Sequence, residues 1–277
     1  MSGARGPDPQ IIYGTAWKEE RTQALTALAL DAGFRAIDTA NQRKHYFEAA
    51  VGEALKEAFA QGKVARSELF LQTKFTFRGG QDHRLPYDER APVAVRVEQS
   101  FQSSLEHLGT SYVDSYLLHG PTTRGPLQDD DLEAWRAIET LSERGLARAI
   151  GVSNFSAEQL RELAATCRVK PSYVQNRCYA KTGWDFDVRA VCRQYGVVYQ
   201  GFSLLTANRR ELEASSVKRL QARLGRETSE LVFGMARGLG MLPLTGTSRR
   251  EHMELDLAAL QLELDAADVA LLERIAG

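Results

Sequence analysis

Short runs of β-branched and aromatic residues alternate along the chain with longer stretches whose apolar residues recur every three to four positions. The runs have the length of strands, and the longer stretches have the period of amphipathic helices. Eight strands are predicted, at residues 11–15, 34–39, 69–75, 112–119, 149–153, 173–179, 197–203 and 242–246. Predicted helices include residues 20–32, 48–61, 93–108, 130–144, 157–166 and 229–238, with another at 266–275.

This alternation favours parallel strand pairing through right-handed crossovers. Eight such units in 277 residues predict an α/β fold, a closed eight-stranded (β/α)8 barrel of the TIM type with an extra C-terminal helix. An open, doubly wound sheet is the alternative architecture. The chain has no linker, repeat or low-complexity tract, so residues 1–277 are expected to form a single domain.

Two local signals refine this pattern. Ser156 is followed three residues later by Gln159, which predicts a capping box at the start of the helix over residues 157–166. The stretch over residues 78–90, RGGQDHRLPYDER, is polar and contains glycine and proline. It is therefore expected to be a surface loop after the third strand.

Charge and cysteine content exclude several classes of protein. Lysine and arginine total 35 against 36 acidic residues, so no basic surface is expected for nucleic acid. Cys167, Cys178 and Cys192 are an odd number without a CxxC pair, which fits a reducing compartment. Residues 1–10 lack the apolar core of a signal peptide, and no later apolar run is long enough to span a membrane. We therefore expect a cytoplasmic protein without a membrane partner.

Polar residues at the ends of the predicted strands are the candidates for chemistry, because (β/α)8 enzymes place their active sites there. The second strand ends near Asp38, the third near Lys74 and the fourth at His119. Each residue alone has an ordinary structural explanation, as a loop cap, a lysine reaching the rim or a turn histidine. At three consecutive strand ends they predict one common site, since a buried lysine needs a carboxylate partner.

A proton donor is expected from the loop after the second strand, where Tyr46 lies. A tyrosine hydroxyl titrates near 10 when unperturbed. Lys74 beside it is expected to lower the pKa of Tyr46, while Asp38 holds the lysine charged. The structural alternative is that Tyr46 packs at the start of the following helix.

The segments GFRAIDTAN, VGEAL, LFLQTKF, YLLHGP and GVSNF resemble the aldo-keto reductase superfamily in order and spacing, over about residues 12–256. The resemblance implies a catalytic tetrad, here Asp38, Tyr46, Lys74 and His119. The loop before Gly52 is two residues longer than the usual family form. Counted back from Gly52, the tyrosine position falls on His45, with Tyr46 one residue later. Tyr46 is the preferred acid, and His45 is the alternative.

The resemblance also implies a nicotinamide cofactor, NADPH in preference to NADH, held without a Rossmann domain. The chain accordingly contains no GxGxxG segment after a strand. Matched to the family, Ser153, Asn154 and Asn176 are expected to bind the carboxamide, and the ring of Phe202 to stack on the nicotinamide. Ser203 and Leu205 follow Phe202 in the same cofactor-binding segment, GFSLL.

The phosphate end of the cofactor is assigned to the segment after the eighth strand. Gly246 and His252 fall where many relatives place a lysine and an arginine. Nearby residues offer other phosphate donors, namely Thr247, Ser248, Arg249 and Arg250. Arginine is the better bidentate partner for a phosphate, although exposed arginines that open a helix are often merely solvated.

The function implied is that of an NAD(P)H-dependent enzyme that reduces small aldehydes and ketones to alcohols. Substrate choice is expected from the loops at residues 42–47, 78–90, 121–129 and 205–215, with Trp17, Tyr46 and Trp184 as apolar wall. A catalytically weak, reductase-like barrel acting as a nicotinamide sensor or scaffold subunit is the alternative. A metal-dependent hydrolase is disfavoured, because the five histidines show no HxH or HExxH spacing and no metal site is predicted. The sequence does not predict an oligomeric state.

Overall fold

The strands of the computed structural model, which describes residues 7–276, close into a barrel in sequence order. All neighbouring strands are parallel, and β1 pairs with both β2 and β8. The predicted (β/α)8 barrel is therefore confirmed, and the open sheet is excluded. Residues 1–6 and 277, at the two ends of the expected domain, lie outside the described residues, as does part of the segment examined for a signal peptide.

Every predicted strand is present, with its ends shifted by at most two residues. The strands are β1 Ile12–Gly14, β2 Ala36–Asp38, β3 Phe70–Phe75, β4 Val113–Leu118, β5 Ala147–Ser153, β6 Tyr173–Arg177, β7 Val198–Phe202 and β8 Met241–Thr245. Their carboxyl ends meet on one side of the barrel, as parallel pairing requires.

The helices surround this barrel. They are α1 Thr22–Ala32, α2 Glu48–Ala60, α3 Val93–Leu108, α4 Asp129–Glu143, α5 Ala157–Thr166, α6 Phe186–Tyr195, α7 Arg209–Leu212, α8 Ser215–Leu224, α9 Thr228–Gly238, α10 Arg250–Ala258 and α11 Ala266–Glu273. The segment over residues 205–215, expected to be a loop, contains the single-turn helix α7 and the start of α8. In α8, Val217 and Leu220 are buried three residues apart, which is the spacing that places both on the core side.

Packing explains two of the sequence signals. A Cβ on Gly52 would lie 1.8 Å from the carbonyl oxygen of His107, so this glycine lets α2 approach α3. The predicted capping box at the start of α5 is present. The main-chain N–H of Gln159 donates to Ser156 Oγ at 3.2 Å, and the main-chain N–H of Ser156 donates to Gln159 Oε1 at 3.0 Å.

Within residues 7–276, no helix is long and apolar enough to cross a membrane.

Candidate active site

A cavity of about 1200 Å³ opens at the carboxyl ends of the strands. Most residues assigned to the site by sequence line it, namely Asp38, Tyr46, His119, Ser153, Asn154, Phe202, Ser203, Leu205, Gly246, Thr247 and His252. Lys74 lies directly behind this lining, paired with Asp38. The predicted site therefore forms one continuous concave surface.

Asp38 and Lys74 form a buried ion pair at the centre of the mouth. The Lys74 ammonium donates to both carboxylate oxygens of Asp38 at 2.7 Å and to the Thr39 carbonyl oxygen at 2.8 Å. Lys74 is fully buried and Asp38 is 2% exposed. Burial lowers the pKa of Lys74, and the Asp38 carboxylate opposes that shift. Three acceptors thus satisfy the ammonium in a place from which water is excluded.

Tyr46 and His45 both line the cavity but face different neighbours. Lys74 Nζ lies 5.0 Å from the centroid of the Tyr46 ring, and the His119 ring lies 5.8 Å from it. The His45 ring instead lies 3.9 Å from the exposed ring of Trp17. Tyr46 is therefore the residue that contacts the Asp38–Lys74 pair and His119.

The expected lowering of the Tyr46 pKa is wrong in direction. Burial, reinforced by the Asp38 carboxylate, raises the pKa of Tyr46 above its usual value. The physical reason is that the Lys74 charge is already matched by Asp38, so the phenol meets a nearly neutral pair in a poorly hydrated place. Tyr46 consequently keeps its proton throughout the physiological range.

His119 is neutral in this site. Burial, followed by the charge of Lys74, lowers its pKa well below the ordinary value. Its Nδ1 atom is 2.6 Å from the Thr76 hydroxyl oxygen, and its main-chain carbonyl accepts a hydrogen bond from the Asn154 side chain at 2.7 Å. These contacts hold the His119 ring in place at the wall of the cavity.

Three glutamines form a closed layer beneath the ion pair, and the sequence analysis did not single them out. The Gln72 and Gln175 side chains donate to Asp38 Oδ1 at 2.7 and 3.0 Å. The same two amides donate to Gln200 Oε1 at 2.8 and 2.9 Å, and the Gln200 amide returns a bond to Gln72 Oε1 at 3.0 Å. All three are buried. Since barrel interiors are usually filled by branched apolar residues, this layer is an unusual polar support for Asp38.

Strand β6 corrects one predicted contact. Gln175 lines the cavity beside Ser153 and Asn154, whereas Asn176 lies outside it. The Asn176 amide bonds instead to the main chain of Phe155 at 2.8 Å and to the Asp185 carboxylate at 3.0 Å. Because neighbouring side chains of a strand point to opposite faces, the one-residue error moved the expected contact to the wrong face. The alternation of side chains along the strand was the signal that could have identified Gln175.

Residues with strained backbone cluster at this mouth. Trp17, Asn154 and Ser203 have φ values of 61°, 59° and 58°, a region that residues other than glycine rarely occupy, and all three line the cavity. Phe202, at the end of β7, lines it as well and is partly exposed. The strand ends β5 and β7 therefore hold their side chains in fixed, costly conformations, as functional sites often do.

The segment between β8 and α10 only partly meets its prediction. Gly246, Thr247 and His252 line the cavity, but Ser248 and Arg249 lie outside its lining. Arg249 Nε lies 3.5 Å from the Glu251 carboxylate. Arg250 similarly pairs with Glu254 at 2.9 Å on the surface of α10. Both arginines thus have carboxylate partners on α10.

Other cations line the cavity and were not predicted. The Lys18 ammonium donates to the Gly246 carbonyl oxygen, and burial lowers its pKa. Arg177 and Arg209 also line the cavity. Lys18 and Arg209 lie in the segments after β1 and β7, several residues beyond the strand ends. Positive charge on these walls therefore comes from the segments after β1 and β7 and from the end of β6, rather than from the end of β8.

One expected aromatic wall residue is absent from the mouth. Trp184 is fully buried, and its indole N–H donates to the Leu272 carbonyl of α11 at 3.0 Å. Trp17, by contrast, is 65% exposed and lines the cavity. Trp17 is consequently the tryptophan placed to report on ligands in the cavity.

Among residues 7–276, no three His, Cys, Asp or Glu side chains are grouped to hold a metal ion.

Comparisons with known proteins find relatives of this chain in sequence and in structure. A model of the aldo/keto reductase family matches residues 10–276. An NAD/NADP-dependent indole-3-acetaldehyde reductase of Schizosaccharomyces pombe is 30% identical over 283 residues, covering 96% of this chain and 90% of the relative. Aldose reductase B of Dictyostelium discoideum is 27% identical over 264 residues, covering 87% and 80%. A crystal structure of a silkworm (Bombyx mori) aldo-keto reductase with NADPH superposes with a TM-score of 0.82 at 26% identity, covering 97% and 84%.

Proposed function

This chain belongs to the aldo/keto reductase family of oxidoreductases, as its motifs predicted, and we propose that it reduces aldehydes and ketones with Tyr46 as the proton donor. The observation that carries this proposal is the grouping of Tyr46, His119 and the Asp38–Lys74 pair around one side of the cavity. The side chains come from or follow β2, β3 and β4, so the barrel frame sets their separation.

The cavity fits a nicotinamide dinucleotide. Ser153, Asn154 and Gln175 supply the hydroxyl and amide groups that a neutral carboxamide needs. Phe202 supplies a flat apolar ring on the neighbouring wall. When bound, the reduced nicotinamide supplies the hydride for the reaction. Phe202, with Ser203 and Leu205 beside it, would hold the nicotinamide ring.

Lys18, Thr247 and His252 are proposed to face the phosphates, and NADPH is the proposed preferred cofactor. The support for a 2′-phosphate contact is that Arg249 is exposed, and its ion pair with Glu251 is long, at 3.5 Å. Exposed pairs of this kind contribute about 0–1 kcal/mol, so a phosphate can displace the glutamate at little cost. Such an exposed contact supports a modest preference for NADPH over NADH.

The proton chemistry follows from the protonation states. Because the pKa of Tyr46 is raised, the phenol is protonated at neutral pH and can donate as negative charge develops on the carbonyl oxygen. The Lys74 ammonium, held by Asp38, stabilises the phenolate that results. After product release, the phenolate is returned to the phenol by a proton from solvent.

His119 is proposed to orient the carbonyl. In the tautomer that this role requires, the Thr76 hydroxyl donates to Nδ1 and the neutral ring carries its proton on Nε2. That N–H can then donate to the carbonyl oxygen beside the Tyr46 hydroxyl. Two donors, one from the loop after β2 and one from the end of β4, thus hold the oxygen where its charge develops.

The decisive test replaces the acid. Tyr46→Phe should lower kcat for NADPH-dependent reduction of 4-nitrobenzaldehyde about 10²- to 10⁴-fold, the usual worth of general acid catalysis. Cofactor affinity, measured as quenching of Trp17 fluorescence, should remain within about 2-fold of the parent protein. His45→Ala is the matched control, since His45 contacts Trp17 rather than the ion pair.

Loss of turnover in His45→Ala, with activity kept in Tyr46→Phe, would assign the acid to His45 instead. A parent protein that binds NADPH but reduces no aldehyde would support the sensor or scaffold alternative.

A further inference from the structure

A second cavity, of about 570 Å³, lies beside the first between the segments that follow β3 and β4. His119 and Asn154 line both cavities, so the second one opens directly from the reacting groups. Small residues keep it open. A Cβ on Gly79 would meet nothing within 4 Å, and the nearest atom to a Cβ on Gly120 would lie 3.7 Å away. A substrate held at His119 can therefore extend a substituent into this space.

The charge of this second cavity is positive on balance. Arg78 and Arg96 line it, and Asp130 is the sole carboxylate among the described residues of its wall. Arg78 is paired with Glu89 at 3.0 Å, and both side chains are about half exposed. Arg96 has no ion-pair partner between residues 7 and 276.

Arg96 is the residue that most needs a ligand. It is part of the first turn of α3 and is half-buried. Its Nε–H is shielded from solvent and has no acceptor among the described residues. A buried donor without a partner costs about 1–3 kcal/mol, and more when the group is charged. An oxygen anion entering the cavity would give the guanidinium the partner that the protein does not supply.

We propose that this second cavity is an anion subsite, which selects aldehydes and ketones that also carry a carboxylate. The carbonyl group lies at Tyr46 and His119, and the carboxylate binds Arg96, whose planar guanidinium suits two-point recognition of that group. Arg78 adds positive charge at the rim. The assignment rests on the proposed reductase function, because the carbonyl must be held at His119 for the substituent to reach Arg96.

The test compares pairs of substrates that differ only in charge. The substrates 3- and 4-carboxybenzaldehyde carry the anion, and their methyl esters present nearly the same shape and electron withdrawal without it. We expect kcat/KM to be about 10-fold higher for at least one acid than for its ester, which corresponds to about 1.4 kcal/mol. The preference should decline as salt is added, since part of the site is exposed.

Arg96→Met should abolish that preference by lowering kcat/KM for the acid while leaving the ester within about 2-fold. Arg161→Met, which removes an exposed arginine from α5, is the matched control and should leave both substrates unchanged. Asp130→Asn should act in the opposite direction and raise the preference for the acid, because it removes the opposing charge from the wall.

Equal kcat/KM for each acid and its ester in the parent protein would overturn the subsite while leaving the reductase function intact. An unchanged acid preference in Arg96→Met would equally overturn it. Failure to reduce any of these aldehydes would instead contradict the proposed function, so the two failures are distinguishable.

Discussion

Polar side chains are partnered and exposed differently in two regions of the site. One is the layer beneath the reacting groups, and the other is the rim between β8 and α10. In the barrel interior, Asp38, Lys74 and the three glutamines satisfy one another by direct hydrogen bonds and exclude solvent. At the rim, Arg249 and Arg250 pair with glutamates of α10 and remain exposed.

The difference shows where this molecule can tolerate change. Removal of Asp38 or Lys74 would leave the other charge buried and uncompensated, which costs several kcal/mol. An exposed ion pair contributes about 0–1 kcal/mol and can exchange its partner for a ligand. The interior is therefore suited to fixing the geometry of proton transfer, and the rim to binding and releasing a cofactor.

Asp256 is the residue that breaks this contrast, because it lies on α10 and lines the cavity yet is buried. Burial raises its pKa to about 7, and the Thr245 hydroxyl donates to it at 2.7 Å. In the unfolded chain the group titrates near 4. Between about pH 4 and 7 the unfolded chain loses this proton while the folded protein keeps it, so the free energy of unfolding falls as the pH rises.

Asp256→Asn should remove that loss, since an amide oxygen still accepts from Thr245 without ionising. The variant and parent should be equally stable near pH 4, and the variant more stable by about 2–4 kcal/mol at pH 8. Urea unfolding at both pH values measures the difference. A gap that is the same at pH 4 and pH 8 would show that Asp256 is not the titrating group.

The next effect concerns the glutamine layer. In Gln72→Met/Gln200→Met, Asp38 loses one of its two amide donors, and Gln175 loses its acceptor on Gln200. Hydrogen bonds to charged groups contribute about 1.5–3 kcal/mol, so kcat should fall about 10- to 100-fold. Global stability should change less, because methionine restores the apolar filling usual for such barrels.

A purely structural layer would behave differently, with urea stability reduced and kcat unchanged at a temperature where the variant is folded.

In the interior, the sequence predicted the Asp38–Lys74 pair but not the glutamine layer beneath it. Asp38, Lys74 and His119 each end an apolar run, so their strand placement was fixed within two residues by hydrophobic pattern. Gln175 was missed because the family motif was matched to Asn176, the next residue of β6, and a one-residue shift reverses the face. Arg96 reaches its cavity from a helix, and Lys18 reaches its cavity from a loop. The positions of these elements depend on tertiary packing, which the hydrophobic periodicity along the chain does not encode.

The smallest expected effect lies at the rim and would sharpen the contrast. In Arg249→Ala, the affinity for NADPH should fall about 3- to 10-fold, while the affinity for NADH should remain within about 2-fold, because the 2′-phosphate is the group that distinguishes the two cofactors. Arg250→Ala is the matched control, since its tighter pair with Glu254 leaves it less free to turn to a ligand. Quenching of Trp17 fluorescence by each cofactor gives both dissociation constants, and the difference for NADPH should shrink at high salt. Equal losses for NADPH and NADH in Arg249→Ala would place its contact away from the 2′-phosphate. If NADPH affinity falls in Arg250→Ala alone, the contact to the 2′-phosphate belongs to Arg250, although its ion pair with Glu254 is the tighter of the two.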